Sequence, residues 1–432
     1  MQPLLAILGA GPVGIEAALV ASRSGFRVVV YEAGRAGEHL RRFAHVRLFT
    51  PFAMNSTPLG REALLRAGAT LPEDDALLTA GALVEDYLEP LVRALAPSVA
   101  LRGYRRVTHV GREGASKGSP PTRGGIPRGS LPFLLRVERE DGGIDHERAD
   151  FVIDATGVYG SPSDLGPGGL PADGQESLGG VLERHIPDLR DVARDRYAGR
   201  RVLLLGSGHS AATALLELEA LAGQGAGAEV HWIHRDREPC FREVSADPLP
   251  ARSELARRAN SIARSAPWLR RHPGAEVAGF VPEENGAVTA LVSENGSERR
   301  ITVDRVLALV GYRPDLGMTR ELRVHHCYES EGPMKLAAAI QAADGGSGDC
   351  LAQVSHGPAS LETPEPGFCV IGAKSYGRRP DFLLSVGHQQ ARDAVALIAV
   401  ARARSAGTMN ETQHPKGDDG WLETTETPQT TT

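Results

Sequence analysis

Two glycine-rich stretches contain the residue types and spacings that hold a dinucleotide. The first, GAGPVG, follows the apolar run LLAIL and leads into an alanine-rich segment. Its first glycine allows a tight turn, its second lets the backbone approach a pyrophosphate, and its third lets a helix pack closely on a sheet. An acidic residue about 20 positions later can accept hydrogen bonds from ribose hydroxyls. We therefore predict a dinucleotide site formed by Gly9, Gly11, Pro12, Gly14 and Glu32.

The second stretch, GSGHSA, repeats the pattern with alanine in the third position. The strand after it ends in HWIHRDRE, so His234 and Arg235 stand where the first stretch has Glu32. A carboxylate there would repel a 2′-phosphate, whereas a guanidinium pairs with one. This site is therefore predicted to bind NADPH and not NADH, with His209 as a loop residue near the pyrophosphate. The residues predicted to bind it are Gly206, Gly208, His209, Ser210, Ala211 and Arg235.

These motifs require a strand before each glycine turn and a helix after it. Residues 4–8 and 28–31 have the apolar, β-branched composition of buried strands, and residues from about 13 to 24 have that of a helix. The same order returns around the second stretch, and each unit closes with a further strand and a glycine, in FVIDATG and RVLALVG. The predicted fold class is α/β with two Rossmann-like domains.

Length, composition and charge indicate the number of domains and argue against some classes of partner. The chain has 432 residues, of which 41% are hydrophobic and 50 are glycine, so we expect more than one domain. Its 48 basic and 54 acidic residues give a net charge of −6, so we expect no nucleic-acid partner. No apolar window approaches the roughly 20 residues of a membrane span, and the first residues resemble a strand and not a signal peptide. We therefore expect a cytoplasmic protein without a membrane partner.

The polar, threonine-rich residues 406–432 are predicted to be a disordered tail.

The cysteines and the nucleophile motifs argue against several mechanisms. Cys240, Cys327, Cys350 and Cys369 lie far apart and form no CxxC or paired metal-ligand pattern. The sequence also contains no HExxH, GxSxG or P-loop motif. We therefore predict no metal site, no serine nucleophile and no phosphoryl transfer.

The order of GAGPVG, DATG at 154–157, GSGHSA, LVGYRPD and VIGAKSYG resembles that of the two-dinucleotide-binding-domain flavoproteins. This superfamily includes thioredoxin reductase-like enzymes and class B flavin monooxygenases, and the resemblance covers about residues 4–400. It implies FAD at the first glycine stretch, with Gly157 as a further contact, and NADPH at the second. It also implies an NADPH domain, expected at 189–330, inserted into an FAD domain, expected at 1–188 and 331–405.

The stretch VIGAKSYG departs from the pattern of this superfamily. In related flavoproteins the last strand of the FAD domain ends in glycine and aspartate, and that carboxylate binds the ribityl chain. Here the residues at 372–375 are GAKS, without an aspartate. The resemblance therefore implies that the ribityl chain is bound by the backbone, by Ser375 or by Asp381. Amides at the start of the final helix, expected near residues 387–389, would face the flavin edge that becomes negative on reduction. The FAD contacts expected in this region are Gly372 and Gln389.

The resemblance also bears on the reaction. Disulfide reductases of this superfamily need a redox-active cysteine pair beside the flavin, which this chain lacks. Monooxygenases carry phenylalanine, glycine and histidine before the second glycine stretch, where LGGVLERH offers Leu178, Gly180 and His185. Asn55 is a candidate for a hydrogen bond to an oxygenated flavin, with turn formation as the alternative.

The predicted function is an NADPH-dependent FAD oxidoreductase that oxygenates a small-molecule substrate. A reductase for a small-molecule or protein acceptor and a non-catalytic flavin-binding sensor stay open, as does a homodimer.

Overall fold

The structure is a computed structural model and describes residues 2–123, 125–225, 227–236, 241–243, 247–343 and 355–405. The tail expected at 406–432 lies outside these ranges. Among the residues described, no helix combines the length and the apolar character needed to cross a membrane.

The strands follow one another in chain order as β1 (Leu4–Leu8), β2 (Arg27–Tyr31), β3 (Val99–Arg102), β4 (Arg105–Arg112), β5 (Thr122–Arg123), β6 (Ile126–Pro127), β7 (Phe133–Arg139), β8 (Ile144–Ala149), β9 (Phe151–Asp154), β10 (Leu182–Glu183), β11 (Arg201–Leu205), β12 (Glu229–His234), β13 (Leu269–Pro273), β14 (Ala275–Pro282), β15 (Val288–Glu294), β16 (Ser297–Val303), β17 (Arg305–Ala308) and β18 (Phe368–Val370).

The α-helices follow in the same way as α1 (Pro12–Arg23), α2 (Glu38–Arg41), α3 (Phe52–Asn55), α4 (Pro58–Arg66), α5 (Ala80–Leu83), α6 (Glu89–Leu95), α7 (Arg194–Tyr197), α8 (His209–Gly223), α9 (Pro250–Ser265), α10 (Met334–Ala343) and α11 (Leu384–Ser405).

The first sheet surrounds the first glycine stretch. Its strand order is β18-β9-β1-β2-β3, and every neighbouring pair is parallel. Helix α1 connects β1 to β2, because parallel neighbours need a crossover that returns the chain to the same end of the sheet. Strands β4, β7 and β8 form a small antiparallel sheet between β3 and β9 in the chain.

The second sheet repeats this plan around the second glycine stretch. Its order is β10-β17-β11-β12-β13, again parallel throughout, with α8 between β11 and β12 and an antiparallel sheet of β14, β15 and β16. Strand β18 returns to the first sheet only after the second sheet is complete. The prediction of two Rossmann-like domains, one inserted into the other, is therefore confirmed.

The hydrophobic cores show where the chain passes from one unit to the other. On one face the first sheet packs against α1 and α11. Its other face packs on residues of the small antiparallel sheet and on Met318, Leu322 and Val324. The limits expected from the sequence, 188/189 and 330/331, stay a prediction. Because β10 pairs with β17, we propose that the second unit begins at β10 and ends before Met318.

One segment differs from the expectation of its composition. The glycine- and proline-rich residues 111–129 predict a surface loop, but Arg128 in this segment is only 4% exposed. Its guanidinium lies 3.0 Å from the buried carboxylate of Glu365, and Arg112 lies 2.8 Å from the same group. A buried carboxylate needs such partners. Composition could not reveal this contact, because Arg128 and Glu365 are 237 positions apart in the chain.

Candidate functional site

Both glycine turns open into one cavity of about 2010 Å³. The first turn contributes Gly9, Gly11 and Pro12 to its wall, and the second contributes Gly206 and Gly208. Each turn follows the carboxyl end of a central parallel strand, which is where open α/β sheets leave a binding crevice. The two predicted dinucleotide sites therefore share one space.

The three glycines of the first turn have different roles. Gly9 has a φ of +100°, and a Cβ there would lie 2.6 Å from the carbonyl oxygen of Ala155. A Cβ at Gly14 would overlap the carbonyl oxygen of Gly9, and Gly14 is not among the described residues that line the cavity. A Cβ at Gly11 would have no described atom within 4 Å beyond its own chain neighbours. Gly11 therefore faces the open space of the cavity, whereas Gly14 is a packing position.

Both crossover helices begin at this space. Gly11 is the N-cap of α1 and Gly208 is the N-cap of α8, and no side chain caps either helix. The first backbone amides of a helix have no intrahelical acceptor and carry the positive end of the helix dipole. The two helix starts can therefore donate hydrogen bonds to bound diphosphates.

Glu32 is held beside the first turn by two backbone amides. Its Oε2 accepts a hydrogen bond from Ala10 N at 2.7 Å, and its Oε1 accepts one from Gly34 N at 2.9 Å. Glu32 directly follows β2 and lines the cavity. Each carboxylate oxygen has a second lone pair, so both can also accept from ribose hydroxyls. The structure places Glu32 where its spacing in the sequence predicts.

The second turn repeats the geometry of the first. Gly206 has a φ of +118°, and a Cβ at Gly208 would again have no described atom within 4 Å apart from its chain neighbours. His209 and Ser210 line the cavity. Ala211 is instead fully buried in the core of the second unit. Ala211 is therefore a packing position, as is the third glycine of the first turn.

Basic residues follow the second turn where the first has its acid. Gly206 N donates to Ile233 O at 3.2 Å, which makes His234 the structural counterpart of Glu32. His234 is buried, whereas Arg235 is exposed and lines the cavity. The structure shows no hydrogen bond or ion pair between Arg235 and any other residue that it describes. This guanidinium can therefore pair with an anionic group of a ligand.

Two further arginines on this side were missed from the sequence. Arg242 and Arg252 both line the cavity. Arg252 lies in the first turn of α9 and forms two hydrogen bonds to the carboxylate of Asp247, at 2.7 and 2.8 Å. No motif marks these residues, because their position depends on where α9 packs. Asp247 balances the charge of Arg252, so of these two arginines Arg242 is the one that adds positive charge to the cavity wall.

The side chains of two predicted cofactor contacts, Asn55 and Gln389, form hydrogen bonds to other residues of the protein. Asn55 lines the cavity, but its Oδ1 accepts from Thr50 Oγ1 and its Nδ2 donates to Thr50 O, both at 2.9 Å. This is the turn-forming alternative. Gln389 is not among the described lining residues, and its Oε1 accepts from Ser355 N at 3.0 Å. Helix α11 begins earlier than the sequence suggests, so Leu384 reaches the cavity instead.

The stretch after β18 has two distinct sides. Gly372 lines the cavity, and its backbone N–H donates to Gln390 Oε1 at 2.8 Å. Ser375 is 1% exposed, and its hydroxyl donates to Gly372 O at 2.8 Å. Asp381 lines the cavity and forms an ion pair with Arg379 at 2.7 Å. Of the two side chains considered for the ribityl chain, Ser375 is therefore turned into the core and only Asp381 is at the cavity.

The lysine after Ala373 forms a buried ion pair. Its Nζ lies 2.7 Å from Asp154 Oδ2 and 3.3 Å from Thr156 Oγ1. Because β9 and β18 are neighbours in the sheet, this pair links the last residue of β9 to the segment that follows β18. Lys374, Thr156 and Gly157 all line the cavity.

Aromatic and imidazole rings line the cavity between the two turns. Tyr159 and Tyr312 meet edge to face with ring centroids 4.8 Å apart. Phe43 and His39 lie 5.8 and 5.7 Å from Tyr159, and His185 lies 6.4 Å from Tyr312. Burial lowers the pKa of His39 to about 4 and raises the pKa of Tyr312 to about 12. Both groups are therefore uncharged at neutral pH. The sequence pointed to His185 but not to His39 or Tyr312.

The described cysteines lie away from the cavity. Cys327 and Cys369 are buried free thiols, and neither is among the described lining residues. Burial raises the pKa of Cys369 to about 12, so this thiol stays protonated and unreactive. Cys240 and Cys350 lie outside the described residues. Within the ranges that the structure covers, no group of three or more His, Cys, Asp or Glu side chains could hold a metal ion.

Comparisons with known proteins rest on the fold alone. No family model matches the chain, and no curated protein sequence matches it. Among solved structures, bacillithiol disulfide reductase Bdr (YpdA) from Bacillus cereus is similar with a TM-score of 0.68 and 18% identity, over 93% of this chain and 99% of that chain. A flavin monooxygenase variant from Stenotrophomonas maltophilia has a TM-score of 0.56 and 22% identity, over 93% and 100% of the two chains. A thioredoxin reductase from T. acidophilum has a TM-score of 0.56 and 16% identity, over 92% and 98%. The chain therefore has the fold of the two-dinucleotide-binding-domain superfamily that its motifs predicted.

Proposed function

We propose that the chain is an NADPH-dependent FAD oxidoreductase. One observation carries this proposal: two glycine turns, one beside the carboxylate of Glu32 and one beside the guanidinium of Arg235, open into a single cavity. A carboxylate suits the 2′-hydroxyl of the adenosine ribose in FAD, and a guanidinium suits the 2′-phosphate of NADPH. Two cofactors that exchange a hydride need such a shared space.

The first turn fits FAD. Gly11 leaves room for a diphosphate, the uncapped start of α1 offers amides to it, and Glu32 has lone pairs for the ribose. Gly157, Gly372 and the start of α11 form the wall on the other side of β1. When bound, the flavin supplies the redox chemistry, since it accepts a hydride and passes electrons to a further acceptor.

The second turn fits NADPH. The start of α8 offers amides to the diphosphate, and Arg235 with Arg242 supplies positive charge for the 2′-phosphate. Tyr159 and Tyr312, one before β10 and one after β17, line the cavity that the two turns share.

We further propose that the reaction ends in oxygenation of a small-molecule substrate. No cysteine in the described part of the chain lines the cavity, so no thiol pair there can relay electrons. The rings of Phe43, Tyr159 and Tyr312 favour an apolar or soft nucleophilic substrate, because such pockets bind ligands mainly through apolar contact. The flavin monooxygenase from Stenotrophomonas maltophilia shares the fold.

A second candidate is a reductase whose acceptor meets the flavin directly. It is favoured by the likeness in fold to the bacillithiol disulfide reductase from Bacillus cereus, with its TM-score of 0.68. Such a reductase would consume NADPH faster when its acceptor is added and would incorporate no oxygen into the product.

The test begins with anaerobic mixing of the FAD-loaded protein with NADPH in a stopped-flow spectrometer. Loss of the flavin absorbance near roughly 450 nm supports the oxidoreductase, and no loss contradicts it, since hydride transfer bleaches oxidised flavin. The reduced protein is then mixed with ¹⁸O₂ and methyl phenyl sulfide. A sulfoxide that contains ¹⁸O supports oxygenation of a soft nucleophile, whereas hydrogen peroxide without labelled sulfoxide favours the reductase.

A further inference from the structure

Lys374 is a buried lysine with an unused hydrogen-bond donor. It is 3% exposed and is nevertheless one of the residues that line the cavity. An ammonium group has three N–H donors. One donates to Asp154 Oδ2 at 2.7 Å and a second to Thr156 Oγ1 at 3.3 Å. Among the residues that the structure describes, none accepts the third.

Asp154, the partner of this lysine, accepts hydrogen bonds from the protein on both of its carboxylate oxygens. Its Oδ1 accepts from Thr156 N at 3.1 Å and from Thr156 Oγ1 at 2.7 Å, and its Oδ2 accepts from Lys374. Asp154 is fully buried and is not among the described lining residues. The lysine is therefore the member of the pair that reaches the cavity, while the carboxylate balances its charge.

The order of the first sheet places this lysine relative to a bound dinucleotide. If the first turn binds FAD as proposed, the diphosphate lies at the turn after β1, and Glu32, which follows β2, lies on one side of it. An acid in this position takes the adenosine ribose. The other half of the dinucleotide must then extend over β9 and β18, on the opposite side of β1. Thr156 and Lys374 follow these two strands.

We propose that Lys374 donates its third N–H to an oxygen atom of the flavin half of FAD, and this rests on the proposed function above. An ammonium can only donate, so the atom that it contacts is an acceptor, either a ribityl hydroxyl oxygen or a carbonyl of the flavin ring. The ion pair with Asp154 holds the ammonium in a single orientation. Lys374 is thus a cofactor-binding residue and not only a counter-ion.

The test removes both charges together. Lys374→Met alone would leave the buried carboxylate of Asp154 without its partner, and that destabilises the fold whatever the lysine does for the ligand. The double variant Asp154→Asn/Lys374→Met leaves no unpaired charge. Its matched control is Lys335→Met/Glu362→Gln, which removes an exposed ion pair away from the cavity.

The affinities of the flavin-free proteins for FAD and for ADP are measured by isothermal titration calorimetry, with NADP⁺ present to occupy the second turn. We expect the Kd for FAD of the double variant to rise about 10- to 100-fold, the range for a lost hydrogen bond to a charged donor. The Kd for ADP should stay within about twofold, since ADP contains no flavin half. The control variant should bind both ligands like the native chain.

Each outcome decides a separate question. An unchanged Kd for FAD overturns the inference, and so does an equal loss of affinity for FAD and ADP, which would indicate a structural role. If the double variant does not fold, Asp154→Asn/Lys374→Gln, which keeps a neutral hydrogen bond between the two positions, is measured against the same criteria. A native chain that binds no FAD contradicts the proposed function itself.

Discussion

Replacing Gly11 with alanine should separate FAD binding from folding. A Cβ at Gly11 points into the cavity and meets no described atom within 4 Å apart from its chain neighbours. The backbone there is extended, with φ −75° and ψ 177°, a conformation that alanine adopts without strain. The free energy of unfolding of the ligand-free Gly11→Ala protein should therefore differ from that of the native chain by no more than about 1 kcal/mol, since the only loss is that of a glycine N-cap.

The same methyl group should obstruct the diphosphate. Inserting a methyl group into a well-packed contact costs about 1–3 kcal/mol, which corresponds to roughly 5- to 150-fold weaker FAD binding. Gly14→Ala is the matched control, because its Cβ would overlap the carbonyl oxygen of Gly9 inside the turn. That substitution should lower the free energy of unfolding of the ligand-free protein by about 1–3 kcal/mol or more.

Two measurements on each variant decide the outcome. Fluorescence titration with FAD gives the Kd, and urea unfolding of the ligand-free protein gives the free energy of unfolding. Gly11→Ala protein that binds FAD as tightly as the native chain would refute the assignment of the first turn. A loss of stability in Gly11→Ala equal to that in Gly14→Ala would show that the two glycines do not have the separate roles described above.

Four further substitutions test the rest of the site and the core. Gly208→Ala should weaken NADPH binding by a similar roughly 5- to 150-fold and leave the Kd for FAD unchanged; an effect on FAD alone would reverse the assignment of the two turns. Arg235→Ala should raise the KM for NADPH about tenfold or more and change the KM for NADH little, with the exposed Arg300→Ala as control, and equal changes for both nucleotides would remove the 2′-phosphate role. Cys369→Ala should leave the rate of NADPH oxidation unchanged, and a lost rate would require a thiol in the reaction. Burial lowers the pKa of His388 to about 4, so the unfolded chain takes up this proton first as the pH falls below about 6.5. The native chain should therefore lose up to about 3 kcal/mol of stability relative to His388→Asn between pH 6.5 and 4, and parallel pH profiles would contradict the buried, neutral imidazole.

The sequence predicted the parts of the fold that depend on local pattern. Apolar strands, glycine turns and helices can each be recognised within a short stretch of sequence, so the two units followed from the order of these elements. The insertion of one unit into the other was implied by the resemblance to the two-dinucleotide-binding-domain flavoproteins. Glu32 was found because its distance from the first turn is set by the length of one helix and one strand. The same reasoning located Arg235 at the corresponding strand end.

The predicted sites included all three glycine-pattern positions of each motif, although the third position was already expected to pack a helix on the sheet. Gly14 and Ala211 belong to the glycine patterns but face the sheet, because a helix presents successive residues in different directions. The start of α11 was expected too late in the chain, so Gln389 was assigned to a cavity that Leu384 reaches instead. His39 belongs to none of the motifs, and Tyr312, although it lies in LVGYRPD, was not singled out as a site residue.

The sequence by itself determined the α/β class, the two glycine turns and the contrast between an acid at one and a guanidinium at the other. These features depend on residue type and spacing over about 30 positions. Only the tertiary structure decided that both turns share one cavity and that Lys374 pairs with Asp154, 220 positions away. Such contacts depend on which strands are neighbours in a sheet and on which charged side chains are paired when they are buried. Strand order and charge pairing both arise only in the folded chain.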